Sequence, residues 1–135
     1  MISGIVRFRV ARAYAALAAG DARPAVKAFA KDGRFFFPGD HVIAADCLGT
    51  MAITAWFERF ARLHPHFELL DVIVGGPPWN MRCMIRFADQ IGDDYTNEGV
   101  QYVRLRWGRI VLDRIYLDTQ AVAEWADKHA DQWSV

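Results

Sequence analysis

The chain has 135 residues, of which 53% are hydrophobic and 24% charged. That is the size and balance of one compact domain, too short for two and too apolar for intrinsic disorder. Sixteen basic and sixteen acidic side chains cancel, which argues against nucleic acid or an anionic membrane as partner, and no run approaches the roughly 20 apolar residues that span a bilayer.

The start, Met1 to Val10, is broken by Arg7 and Arg9 and lacks a small-residue cleavage site, so it does not read as a signal peptide. From Gly4 to Ala19, Val6, Val10, Tyr14 and Leu17 recur at helical spacing, and Gly20 supplies a residue tolerant of positive φ at the helix end. Asp21 then caps an expected second helix, Ala22 to Ala30, with Pro24 in its first turn and Val26 and Phe29 on one face. Lys31-Asp32-Gly33 reads as a turn, and Arg34 to Phe37 as a short aromatic strand ended by Pro38-Gly39-Asp40. Thr50 is the expected cap of a third helix, Met51 to Leu63, with Ile53, Trp56, Phe57 and Phe60 as its apolar face.

Beyond Phe67 the period changes to two. Phe67 to Val74, Met81 to Ala88, Glu98 to Arg106 and Arg109 to Leu117 read as four strands. Their connections are short and rich in turn residues, as antiparallel hairpins require. A last helix runs from Ala121 to about Gln132, with Val122, Trp125 and His129 on one stripe. Helices followed by a strand meander predict an α+β domain over residues 1–135, its helices packed on one face of a curved antiparallel sheet. Cys47 and Cys83 stand apart, as in a reduced protein, so a soluble cytoplasmic domain is the expectation.

Aromatic residues make up 13% of the chain, with five Trp and nine Phe. Rings fill cores and line cavities for apolar ligands with equal ease. Phe35, Phe37, Trp56, Phe57, Phe60 and Trp79 are the candidate walls; Trp79, on the Pro77-Pro78 turn, is placed to act as a lid.

Particular residues carry a resemblance as well. Ala19-Gly20-Asp21 follows the first helix, Phe29-Ala30-x-Asp32-Gly33 precedes the first strand, and Pro38-Gly39 ends it. Gly49 precedes Trp56-Phe57, and the run Arg104 to Val111 is followed by Tyr116 and Asp118. In this order and spacing, from about Val6 to Trp125, they resemble the nuclear transport factor 2-like superfamily, in particular its SnoaL-like branch. Ketosteroid isomerases, scytalone dehydratases and SnoaL-type polyketide cyclases belong to that superfamily. The resemblance implies a cone, a bent sheet wrapped round an apolar pocket with helices packed on it. Some members are enzymes and others only bind or assemble, so function rests on the pocket residues.

By similarity to the isomerases, the face of the last strand carrying Val111, Asp113, Ile115 and Leu117 points into the cavity. Alternation then turns Gly99, Gln101, Val103 and Leu105 inward, with Met81, Cys83, Ile85 and Phe87 on the neighbouring strand. Arg82, Arg86, Arg104, Arg106 and Arg114 fall on the outer face, where Tyr102, Arg104, Arg106, Arg114 and Tyr116 suit a homodimer interface. Aligned with the isomerases, their catalytic Asp falls on Phe37, their Tyr on Ala13 with Tyr14 one residue along, and their second Asp near Gln101. Phe takes no proton, so the resemblance implies no steroid isomerisation by the familiar route.

Asp113 is therefore the leading acid–base candidate, a carboxylate among apolar neighbours whose pKa burial would raise; pairing with Arg109, Arg114 or a neighbouring residue is the structural alternative. Gln101 is the candidate oxyanion donor, or else a satisfied strand residue. Asp40 and His41 follow the first strand where relatives place pocket-rim residues, and His41 is the histidine best located for proton transfer, unless it is an exposed loop residue. Asp118 is a second candidate base by resemblance, but alternation favours capping the last helix. Tyr14, Cys83, Ile85, Val103, Ile115 and Leu117 complete the expected pocket lining. No phosphate loop or dinucleotide fingerprint occurs, His64-Pro65-His66 is a weak metal pair, and Ser3 and Ser134 lie near the ends. The reading is thus a cofactor-free, metal-free isomerase, cyclase or dehydratase acting on a small apolar carbonyl compound of polyketide, steroid or terpenoid type. A non-catalytic pocket or assembly protein is the alternative.

Overall fold

A computed structural model describes residues 2–134. In chain order the elements are α1 (Ile2–Ala18), α2 (Arg23–Lys27), β1 (Phe29–Phe37), β2 (Ala45–Leu48), α3 (Thr50–Ala61), β3 (His66–Gly75), β4 (Met81–Ile91), β5 (Tyr95–Arg106), β6 (Arg109–Leu117) and α4 (Thr119–Ser134). The strands form one six-stranded sheet in the order β2-β1-β6-β5-β4-β3. The expected α+β fold is present, with α1 packed against β3 and α3 against β1 and β2. Among the described residues no helix is long and apolar enough to cross a membrane.

Several local expectations need correction. The second helix stops at Lys27, and Phe29 opens β1 instead, pairing with Ile110. Its ring is used in the aromatic cluster, 5.8 Å from Phe57 and 6.4 Å from Phe35 between centroids. Lys31-Asp32-Gly33 is an irregularity inside β1 rather than a turn before it, since the register shifts between Phe29 and Arg34. β1 runs parallel to β6, so the sheet is mixed at that one pairing. The short strand β2 was not expected; Cys47 faces in, while Asp46 faces out and pairs with Arg34. Gly49, not Thr50, is the N-cap of α3: at φ 87° it holds a conformation that side chains disfavour, and its N–H bonds the carbonyl of Gly33 at 2.9 Å.

Period-two sorting survives almost everywhere. Cys83, Ile85, Phe87, Val103, Leu105, Asp113 and Ile115 are buried, while Arg82, Arg86, Arg104 and Arg106 are exposed. The exception is Val111. Arg104 pairs with Leu112 but Leu105 with Ile110, so Val111 is the extra residue of a bulge and Ile110 turns inward in its place.

The buried side chains form two apolar clusters. The larger is aromatic, with Phe29, Phe35, Phe37, Trp56, Phe57 and Phe60 joined by Trp125 and Trp133 of α4. The smaller holds Val72, Cys83, Ile85, Val103 and Leu105 on the sheet. A cavity draws its walls from both clusters.

Candidate active site

Asp113 sits at the centre of β6, between Phe35 on one side and Val103 on the other. It is 1% exposed and lines the cavity. No Arg109 or Arg114 reaches it: the Arg114 guanidinium instead lies 4.1 Å over the Phe36 ring on the outer face. Its one hydrogen-bond partner among the described residues is Gln101, whose Nε2 donates to Oδ2 at 2.8 Å. The other oxygen, Oδ1, is buried and unpartnered. Burial without a cation disfavours the charged form, and the pKa rises from 3.8 to about 7, with the Gln101 bond pulling slightly the other way.

Gln101 is fixed from the opposite side by α1. The Tyr14 hydroxyl donates to Gln101 Oε1 at 3.0 Å, which presents the amide N–H to Asp113. The Tyr14 ring stacks on Phe67 with centroids 4.5 Å apart. Its hydroxyl is held far above the ordinary pKa, by burial first and then by Asp113 and Asp89. A line Tyr14–Gln101–Asp113 thus crosses a largely apolar wall. Gln101 spends its amide on positioning Asp113, a role that the oxyanion-donor expectation did not include.

The cavity has a volume of about 130 Å³. Tyr14, Phe35, Phe37, Trp56, Phe57, Phe60, Cys83, Ile85, Val103, Ile115 and Leu117 line it as expected, whereas Trp79, Met81 and Val111 do not. Trp79 is 60% exposed and leans on Trp107, with centroids 6.0 Å apart, so it neither walls nor lids this cavity.

Asp40 and His41 are likewise not among the lining residues. Asp40 is exposed. His41 organises its own loop: Nδ1 accepts the N–H groups of Ile43 at 3.2 Å and Ala44 at 3.1 Å, and Nε2 meets the Pro38 carbonyl at 3.0 Å. Two accepted bonds at Nδ1 require the neutral ring with its proton on Nε2, and burial lowers the pKa accordingly. Asp118 caps α4, accepting the N–H groups of Gln120 at 3.0 Å and Ala121 at 3.3 Å. Among the described residues no group of three or more His, Cys, Asp or Glu is arranged to hold a metal ion.

One cavity residue escaped the sequence reading. Asp89 of β4 is 7% exposed and lines the same cavity. Its Oδ1 is buried and unpartnered. Burial raises its pKa to about 7, opposed by a hydrogen bond from the Tyr95 hydroxyl. Asp89 lies one residue past the expected end of its strand at Ala88. Extending the alternation Cys83, Ile85, Phe87 by one step would have found it.

Comparisons with known proteins agree with this fold. Residues 10–112 match the model of the SnoaL-like domain family. No curated protein matches the chain. Among solved structures, Bal32a from a soil-derived mobile gene cassette superposes with a TM-score of 0.69 at 24% identity, covering 90% of this chain and 96% of its own. A steroid delta-isomerase from Pseudomonas aeruginosa gives 0.64 at 15% identity, covering 94% of this chain and 92% of its own. A putative polyketide cyclase from Sinorhizobium meliloti gives 0.59 at 18% identity, with coverages of 80% and 93%. At these identities the structures speak for the fold alone.

Proposed function

The chain belongs to the SnoaL-like domain family, and on that premise we propose that it is an acid–base enzyme moving a proton on a small apolar carbonyl compound. One observation carries the reading: the free Oδ1 of Asp113 lies buried in the wall of an apolar cavity while Oδ2 is held by Gln101. A carboxyl titrating near 7 is half base and half acid at neutral pH, where a proton carrier works best in both directions.

The chemistry follows from the carboxyl. Oδ1 of the ionised Asp113 removes a proton from the carbon next to a carbonyl; the C–H electron pair passes into an enolate. Asp113, now protonated, returns the proton to another carbon or to a departing oxygen. Return to carbon is an isomerisation, and loss of the oxygen as water is a dehydration. The cavity volume, about 130 Å³, is close to the ~150 Å³ in which a protein accommodates benzene. A single ring therefore suits it better than a fused steroid.

A β,γ-unsaturated cyclohexenone is the direct probe. The protein should speed its conversion to the conjugated enone, read by ultraviolet absorbance, and Asp113→Asn should abolish the acceleration. Equal rates for the two proteins across one-ring and two-ring enones would reject the reading. Stabilisation by these ligands without turnover would instead support a non-catalytic binding protein.

The outer sheet face is the second part of the proposal, as a homodimer surface. Arg82 and Arg104 are direct cross-strand partners there, beside exposed Met84 and Tyr116. Apolar and arginine side chains together suit an interface core. Sedimentation should find a dimer that Met84→Asp converts to monomer; a monomeric wild-type protein would reject it.

A further inference from the structure

Among the described residues that line the cavity, Arg9 alone is exposed, so it marks the mouth. It is also the only Lys, Arg or His in that wall. On α1, Val6 and Val10 stand on either side of it and pack on the sheet cluster that holds Val103 and Leu105. The charge therefore stands at an apolar rim. Its guanidinium is held in place and left without an acidic partner. Nη2 donates to the Gly108 carbonyl at 3.1 Å. Gly108 belongs to the turn joining β5 and β6, where Trp107 at φ 51° and Gly108 at φ 79° take the left-handed conformation of a two-residue hairpin turn. The Trp107 N–H bonds the Pro78 carbonyl at 2.8 Å, which ties this turn to the β3–β4 connection. Arg7, Arg23, Arg34 and Arg106 each meet a carboxylate; among the described residues none meets Arg9. Its remaining N–H donors are open to solvent or to a ligand.

We infer that Arg9 binds a carboxylate carried by the ligand, and that the ligand is an apolar ring with a short acidic tail. This rests on the cavity of the function proposed above and narrows its substrate class. A carboxylate drawn inside would lie among apolar side chains, near two buried aspartates and without a cation, which is a costly position. At Arg9 it keeps part of its water and meets a planar donor fork that matches its own shape. Fixing the guanidinium beforehand on Gly108 lowers the ordering cost of binding. The reach is set by β6. From Arg109, beside the turn, to Asp113 the strand runs roughly 10–13 Å at ~3.3 Å per residue, the lower figure allowing for the bulge at Val111. A ring beside Asp113 bridges that distance to Arg9 through a few methylenes, for which Val6 and Val10 supply an apolar bed.

Cyclohexanebutanoic acid and its uncharged counterpart cyclohexanebutanol test this by calorimetric titration at neutral pH, where the acid is ionised. Wild type should bind the acid about fivefold more tightly than the alcohol at low salt, the size of one well-formed exposed pair. Raised salt should shrink that preference. Arg9→Met keeps an apolar stem without the charge and should abolish it, with circular dichroism reporting that the variant is folded. Cyclohexanecarboxylic acid has no tail to reach the mouth and should show no preference over cyclohexylmethanol. Should Arg9→Met not fold, the salt series and the tailless pair carry the test on wild type alone. Equal affinities for the tailed acid and alcohol, a preference that survives Arg9→Met, or one equally large without the tail would each overturn the inference. So would binding of neither tailed ligand. The cyclohexenone separates the two ideas. An Arg9-dependent acid preference with no isomerisation by wild type would reject the enzymatic reading and keep the anion site; Asp113-dependent isomerisation with no acid preference would do the reverse.

Discussion

Gln101 Nε2 donates to Asp113 Oδ2 at 2.8 Å, and this amide leaves the other carboxyl oxygen, Oδ1, buried without a partner. Tyr14 holds the amide from behind at 3.0 Å. Gln101→Leu should leave both carboxyl oxygens without a fixed donor, raise the pKa of Asp113 further and lower kcat on the cyclohexenone about tenfold or more, since charge-assisted bonds are worth roughly 1.5–3 kcal/mol. Tyr14→Phe should act in the same direction and more weakly, because it loosens the amide without removing it. The acidic limb of the kcat profile should move to higher pH in Gln101→Leu. An unmoved limb would mean that Gln101 serves packing only.

The raised carboxyls make a pH-dependent stability with a definite sign. An aspartate at about 7 in the folded chain and 3.8 when unfolded binds more protons folded than unfolded between those values. Stability therefore falls as pH rises from about 4 to 7 and levels off above. Asp113→Asn keeps the shape and the acceptor for Gln101 but removes the titration. It should flatten the Asp113 part of this slope and stabilise the protein at pH 8, by on the order of 4 kcal/mol at most given about 1.4 kcal/mol per pH unit. Urea unfolding at pH 4, 6 and 8 checks it; a variant destabilised equally at all three would contradict the uncharged burial described here.

How far the sequence spoke can be judged from particular residues. Alternation in β4, β5 and β6 placed Cys83, Val103 and Asp113 on the inner face, because period two is imposed by the pleat itself. It went wrong at Val111, where a bulge breaks the count, and bulges leave no mark in an apolar run. Phe29 reads as helical because Val26 and Phe29 stand three apart, a spacing that two residues cannot distinguish from chance. His41 was legible as a histidine near the first strand but not as a loop organiser, since its partners are backbone groups that every residue offers. Asp89 falls outside the strand expected from the sequence, which ends at Ala88, three residues short of Ile91. Long-range partners such as Tyr14 and Gln101, 87 positions apart, follow only from the fold.

Gly99 answers a packing demand in the wall of the site. A Cβ there would clash with the backbone carbonyl of Tyr116 and sit 2.8 Å from the Phe87 ring and 2.9 Å from Leu117 Cβ. The carbonyl belongs to the β5–β6 ladder and cannot swing aside. Gly99→Ala should cost about 1–3 kcal/mol, the usual range for overpacking, and displace the Phe87 ring towards the cavity. A lowered urea midpoint together with weaker cyclohexanone binding is the expected pair of results.

His41 should matter for stability and not for chemistry. Its neutral ring satisfies two backbone N–H groups and meets the carbonyl of Pro38. His41→Ala leaves these groups short of partners at a cost of about 1–3 kcal/mol. The lowered pKa sets the sign: the unfolded chain protonates at 6.5 before the folded one does, so the His41 contribution is present above that pH and fades below it. Below saturation by denaturant, folded His41→Ala should turn over the cyclohexenone at the wild-type rate. A large fall in kcat would return His41 to the list of proton carriers.

Val103 stands opposite Asp113 across the β5–β6 pair and lines the cavity beside it. It is the position from which ligand size is tested most directly. At about 130 Å³, the cavity should take cyclohexanone, and a concentration of 100 times its Kd should stabilise the protein by about 2.7 kcal/mol. A four-ring ketone such as progesterone should give no shift. Val103→Phe places a ring where the ligand ring would lie, at an overpacking cost of about 1–3 kcal/mol. The variant should remain folded and lose the cyclohexanone shift. If progesterone stabilises wild type as strongly as cyclohexanone does, the cavity opens further than its resting volume, and the one-ring assignment falls while the role of Asp113 stands.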